Sequence, residues 1–289
     1  MGDAPLTVGS WALGSELRRH RTAAGLSLVE VARTLKVSQP TVTRIEQGKH
    51  RLTEKQFAAL CELYGIDVQL RGQLDEVRQE ALVPDWRQDY DRLTNGPLGD
   101  ALGLETGAKT IRGHDGQLVP GLLQTEEYAG SLMAEAPYIR AVEVKRRVSL
   151  RMQRQEGVLS GRQNLVAVIG EAALRQQIGG PGVMSRQIAH LRELAERENI
   201  MIRILPFNAG AHAAYGSAFQ ILDFDGVRVE LPTVVCVDTL TSVLIYELPE
   251  RVETYTQSFD MMLPKTYGEI ETIKYLDQLA ADVVKDQQR

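Results

Sequence analysis

Lys49, His50 and Arg51 stand in a row directly after a short polar helical pattern, a placement suited to nucleic-acid phosphate. Ser38, at the head of that pattern, offers a hydroxyl for the same purpose; the alternative for Lys49, His50 and Arg51 is an ordinary solvated loop. The device that would present them runs from Gly25 to Gly48. Ser27 reads as an N-cap with Glu30 three residues on, a capping box. Val31, Ala32 and Leu35 then recur at helical spacing. Past a turn at Lys36-Val37, Ser38 caps a second helix, with Pro40 in the first turn, where a missing N–H costs little. Val42 and Ile45 face back to the first helix, and Gly48 ends the second. Two short helices about a tight turn make a helix-turn-helix, which lays its second helix in the major groove.

Charge agrees. Between Ala12 and Tyr64 nine Lys/Arg stand against five Asp/Glu, a balance of +4, while the whole chain is −5, so the remainder carries −9. A basic head on an acidic body turns one face toward phosphate and the other away from it.

At 289 residues the chain predicts two domains. No apolar run is long enough to span a membrane, and no basic-then-apolar leader precedes the first domain, so a cytoplasmic protein is expected. Residues 1–12 read as a flexible tail. The two cysteines, Cys61 and Cys236, make no disulfide framework, and the five scattered histidines make no metal cluster, so no cofactor or metal is expected.

From Leu13 to Ile66 the chain resembles the Xre (phage repressor-like) helix-turn-helix domain. The resemblance implies helices at about 13–24, 28–35, 39–46 and 54–64, the last opened by Thr53 with Gln56, a second capping box. It places Gln39, Pro40, Thr43 and Arg44 against base edges, with Arg44 suited to guanine and Gln39 to adenine. It implies a buried salt bridge between Arg21 and Glu46. The chain departs from the family in having Leu28 where a phosphate-binding Gln is usual, and Lys36 where Gly is usual, which predicts a positive φ at Lys36. Residues 67–85 read as a fifth helix or a linker helix, broken at Pro84. In related repressors such a segment helps dimerise the heads, so a homodimer on a palindromic operator is expected.

Residues 86–285 change rhythm. Helices are expected at 97–109, 126–134, 141–156, 183–197, 249–262 and 267–285, and strands at 111–114, 164–169, 201–205, 218–224, 227–237 and 243–247. Strands gathered between helix blocks predict an α+β domain behind the α-helical head. This half resembles the DUF5753 (Scr1-type antitoxin-like) domain. The likeness is carried by Leu118 through Ala129 (LVPGLLQTEEYA), Arg151-Met152-Gln153-Arg154-Gln155, Glu171 through Arg175, Gly179-Gly180-Pro181 and the stretch Leu191 to His212. Where that family tends to show an aromatic–acid pair, this chain has His114-Asp115. The resemblance implies a regulator that binds a small DUF397-type partner protein. The Pro120-Gly121 turn, the loop at His212 and His114 are candidates for a ligand pocket or partner face; the alternative is plain loop chemistry. Arg147, Arg151 and Arg154, at helical spacing, suit acids of a partner or simply a solvated helix face.

Two rivals to partner sensing follow from residue types. One is a metabolite-responsive repressor. The other is an NAD-dependent ADP-ribosyltransferase-like site using Arg112, His114 and Tyr215 with an acid among Glu171, Glu230 and Glu247. No phosphate loop, dinucleotide fingerprint, zinc-protease motif or nucleophile elbow is present, so no enzyme is expected.

Overall fold

The computed structural model describes residues 5–82, 86–216, 218–224 and 231–287, the side chains of 283–287 excepted. They divide into two compact units. One runs to Gly107 and includes Phe224 and Leu231; the other comprises Ala108–Asp223 and the chain from Pro232.

The first unit is all helical: α1 (Val8–Ala23), α2 (Leu28–Leu35), α3 (Gln39–Glu46), α4 (Glu54–Tyr64), α5 (Val68–Glu80), a 3-10 turn at Trp86–Tyr90, and α6 (Pro97–Gly107). Leu17, Val31, Val42, Ile45, Phe57, Leu60 and Leu74 fill its core. Both expected capping boxes form: Ser27 Oγ accepts from Glu30 N at 3.3 Å, and Thr53 Oγ1 from Gln56 N at 3.2 Å. A third, Thr7 with Ser10, starts α1 at Val8. Residues 8–12 are therefore helical, with Trp11 and Ala12 buried, where a tail was expected; residues 1–4 lie outside the described residues. The backbones of α1 and α3 nearly touch. A Cβ on Gly14 would lie 2.7 Å from the carbonyl oxygens of Ile45 and Glu46, so only glycine permits this approach.

Lys36 ends α2 in the left-handed region, at φ 55° and ψ 44°. That conformation costs a non-glycine residue about 1–2 kcal/mol. Lys36→Gly is expected to raise the thermal midpoint of the head by relieving roughly 1 kcal/mol of strain, read by calorimetry.

α5 is a fifth helix of this bundle. It packs on α1 through Leu74 and Val77, both fully buried, so residues 68–80 are not a free linker; residues 83–85 lie outside the described residues. α6 also packs on α1. Buried Arg87 ties the unit together, its Nη1 donating to the carbonyls of Leu6 (2.6 Å) and Gly99 (3.2 Å). Phe224 belongs here through its ring, 5.3 Å from Trp11. The expected second domain, starting at 86, thus contributes its first helix to the head.

The second unit mixes helices with a six-stranded sheet in the order β3-β2-β1-β4-β5-β6. Its elements are β1 (Thr110–Asp115), α7 (Glu126–Ala134), α8 (Val144–Leu159), β2 (Asn164–Gly170), α9 (Glu171–Arg175), α10 (Pro181–Leu194), β3 (Ile200–Leu205), β4 (Phe219–Asp223), β5 (Val234–Asp238), β6 (Val243–Tyr246), α11 (Pro249–Met262) and α12 (Glu269–Gln287). β1, β2 and β3 are parallel, joined by helical crossovers, while β4, β5 and β6 are antiparallel. The fold is α+β as expected, but half of the sheet is built the parallel way. The strand expected over 227–237 begins at Val234, its first four residues lying outside the described residues. One sheet face, with Val168, Phe219, Ile221, Val235 and Val237, packs on Phe259 and Met262 of α11.

Candidate nucleic-acid interface

α3 is a short helix held firmly from behind. Ser38 caps it, its Oγ 3.4 Å from Thr41 N and 2.9 Å from Thr41 Oγ1. Glu46, at its far end, is buried and accepts from Arg21 Nε at 2.5 Å and Nη2 at 3.2 Å, while Arg21 Nη1 donates to the Leu26 carbonyl at 2.7 Å. The ion pair implied by the family resemblance is therefore present, and it ties α1, α3 and the approach to α2 into one body.

Away from the core, Gln39 and Pro40 are exposed and Thr43 and Arg44 half-buried. Gln39 and Thr43, like Pro40 and Arg44, are four residues apart and share a face. Thr43 Oγ1 lies 3.4 Å from the Gln39 carbonyl. The structure thus gathers all four expected base-reading residues on one side of α3.

The expected phosphate contacts are less uniform. Arg51 is exposed, but Lys49 is paired with Asp100 of α6 at 2.7 Å. His50 has its pKa pushed below the ordinary histidine range, first by burial and then by the charge of Arg44, which disfavours the charged form a phosphate would need. The hydroxyl of Ser38 is engaged in capping. Asp100 is the residue that sequence reasoning missed: it lies 51 positions beyond Lys49 and no local pattern couples the two.

In the second unit, the motif residues form two separate clusters. His114 and His212 come together, ring centroids 5.8 Å apart. His114 Nδ1 lies 3.1 Å from the Val168 carbonyl, and His212 stacks on exposed Tyr215 at 4.7 Å. His212 Nδ1 is buried and makes no hydrogen bond among the described residues. His114 lies near the carboxyl end of β1, in register with Val168 of β2 and Phe219 of β4.

Pro120 and Gly121 belong elsewhere. Gln155 Nε2 donates to the Gly121 and Gln124 carbonyls (3.0 and 2.8 Å), Gln124 Nε2 to that of Val119 (2.7 Å), and Gln187 Nε2 to that of Leu123 (2.8 Å). Arg151 Nη1 donates to Gln124 Oε1 at 3.1 Å, and a Cβ on Gly121 would meet that same nitrogen at 2.4 Å. The two motifs around residues 118–129 and 151–155 therefore clamp one another. Arg147 pairs with Glu143 at 3.3 Å.

The residues of the imagined transferase site are engaged otherwise. Arg112 holds Asp223 through Nε and Nη2 (2.9 and 3.2 Å). Glu171 accepts from Phe207 N at 2.8 Å and from Arg175 at 2.7 Å. Glu247 is exposed, and Glu230 lies outside the described residues.

Residues 12–74 match the family described as Helix-turn-helix domain, and residues 98–278, more than half of the chain, match the Domain of unknown function DUF5753. The chain belongs to the DUF5753 family. No curated protein and no solved structure matches it. The helix-turn-helix domain gives this DUF5753 protein a DNA-binding, regulatory role. The family match opens at residue 98, inside α6, so its first helix is a part of the head. No helix of the described residues is long and apolar enough to cross a membrane.

The second unit is expected to respond to pH through His114 and His212. Burial, above all, holds both below the ordinary histidine range. The Val168 carbonyl opposes this at His114, and Lys265 adds to it at His212. In the unfolded chain each titrates at about 6.5, so below that pH the unfolded state takes up protons the folded unit refuses. Stability is expected to fall as pH drops through this range toward the depressed folded pKa values. His114→Gln should reduce the slope of thermal midpoint against pH between about 7.5 and 5.5, leaving the shares of His212 and of His190, which burial also depresses.

Proposed function

We propose that this DUF5753 protein is a sequence-specific transcriptional regulator of the Xre type, binding a palindromic operator as a homodimer. The observation that carries the reading is the face of α3: Gln39, Pro40, Thr43 and Arg44 lie together on a helix fixed by the buried Arg21–Glu46 pair. Two heads on one duplex face would read half-sites about 34 Å apart, one helical turn. The second unit acts by binding and not by catalysis, as the engagement of Arg112 by Asp223 favours. Its occupant is a small DUF397-type partner protein, received near the carboxyl end of β1, around His114 and His212.

Arg44 tests the placement of α3. Arg44→Ala is expected to weaken operator binding by about 1–3 kcal/mol and to relax the choice at one base pair, measured by anisotropy on single-substitution operators. Equal weakening on every sequence would make Arg44 a phosphate contact and overturn its base-reading role.

A further inference from the structure

β6 ends the sheet on one side, and among the described residues nothing pairs with its outer edge. The opposite edge is closed: the Ile204 carbonyl of β3 accepts from Tyr267 N at 2.9 Å, and α12 packs on that strand. Sheets guard an open edge with charge, proline, a bulge or brevity. β6 has brevity alone. Val243-Leu244-Ile245-Tyr246 holds no charge and no proline, and it runs against β5 without a bulge, from Val243 opposite Asp238 to Tyr246 opposite Val235. Three leucines follow this edge: Leu240 in the β5–β6 turn, Leu244 in the strand and Leu248 just past it, 74%, 45% and 69% exposed.

The hydrogen-bond phase of β6 fixes what can join it. Thr239 N donates to the Ser242 carbonyl at 2.8 Å, which makes these two a hydrogen-bonded pair at the turn. Alternation then turns the backbone groups of Leu244 and Tyr246 toward β5 and those of Val243 and Ile245 outward. If two β6 strands pair antiparallel about Leu244, Val243 of each meets Ile245 of the other, and every outward N–H and C=O of the strand finds a partner. Leu244 then faces its own counterpart across a non-hydrogen-bonded pair, where side chains lie closest. Leu240 and Leu248 stand four residues to either side of Leu244, so the same two-fold axis brings each Leu240 to the end of the other strand that carries Leu248. Glu247, next along the chain, falls opposite Thr241 and not opposite another carboxylate.

We propose that β6 is a self-association edge: two chains pair their β6 strands antiparallel about a two-fold axis at Leu244, joining their six-stranded sheets into one. Leu244 lies on the same face as Val237, its neighbour in β5, so the apolar face that α11 covers runs on from one chain into the other. A strand of another protein could use the same backbone groups. The symmetric spacing of the leucines and the absence of charge are what an isologous contact, self-complementary across a two-fold axis, requires. This edge is the interface of the homodimer proposed above and rests on that reading for its role in operator binding; the strand geometry itself involves no DNA.

The test uses the full chain. In the proposed pair Leu244→Cys sets two Cα atoms about 4.5 Å apart, within disulfide reach. Mild oxidation should link most of this variant into covalent dimers on a non-reducing gel. The parent chain, whose Cys61 and Cys236 are buried, and Ile270→Cys, more exposed than Leu244 but on α12, should stay unlinked. Sedimentation velocity should show a dimer of the parent chain, and Leu244→Lys, which sets two like charges face to face, should raise its dimer Kd at least about tenfold. Ile245→Pro removes an outward N–H and leaves the β5 bonds in place, so it should do the same. Thermal unfolding reports whether each variant is folded, and either folded variant alone decides the matter. A dimer that persists in the folded variants, or Leu244→Cys linking no better than Ile270→Cys, would overturn the edge and leave the homodimer reading standing. A parent chain monomeric in solution would also overturn the edge; two chains counted on one operator duplex would then still hold the homodimer reading, and one chain would end it too. A monomeric chain that binds a small partner protein and loses it in Leu244→Lys would give the edge to that partner instead.

Discussion

Glu46→Ala is expected to destabilise the helical unit by about 3–5 kcal/mol, the usual cost of removing one partner of a buried ion pair. Arg21 gives Glu46 two of its guanidinium bonds and the third goes to the Leu26 carbonyl. Without the carboxylate, the Arg21 charge stays largely buried and loses the partner that holds its pKa above the ordinary value. Buried Tyr64 stands near the same pair. Replacing both charges by apolar residues of similar volume should cost much less than either single removal, because no charge is then stranded. Thermal unfolding of Glu46→Ala and of an Arg21→Met, Glu46→Leu double variant checks this. Equal losses would mean that the pair is worth its packing only.

Phe259→Ala is expected to cost the second unit about 3–5 kcal/mol, as for other large buried rings. Phe259 is 1% exposed at the centre of the face where α11 covers the sheet, its ring near that of Phe219 and 5.9 Å below the Arg112 guanidinium. Its removal leaves a cavity and withdraws the floor beneath the Arg112–Asp223 pair, which bridges β1 and β4. Urea unfolding followed by fluorescence and by circular dichroism should show the loss. A change under about 1 kcal/mol would mean that α11 re-packs freely, contrary to a dense core.

What was legible in the sequence was local. Ser27 with Glu30 and Thr53 with Gln56 declare their helices within four residues, so α2 and α4 begin where those pairs put them. The Thr7–Ser10 box carries Ser at its N3 position in place of the usual Glu or Gln, so the sequence does not announce that α1 begins at Val8. Asn164 to Ile169 reads as a compact apolar run because β2 lies inside the sheet and is covered on both faces, as parallel strands are. The five-residue helix α9 carries too few turns to show a period. Pairings across the chain left no trace: Arg87 meets the Leu6 carbonyl 81 residues away, and Lys49 meets Asp100 only because α6 packs back on α1. For the candidate site this means that the face of α3 was readable, being one helix with one periodicity, whereas the Lys49–Asp100 pair behind it was not.

The central claim is selective DNA binding through the face of α3. Its most direct test is fluorescence anisotropy of the labelled DNA upstream of this protein's own gene, titrated with the full chain at physiological salt beside a scrambled duplex of equal length. The reading predicts nanomolar binding to the upstream DNA, at least about 10³-fold tighter than to the scrambled duplex, with the advantage reduced in Arg44→Ala. Weak binding of equal strength to both duplexes, fading together as salt rises, would contradict it.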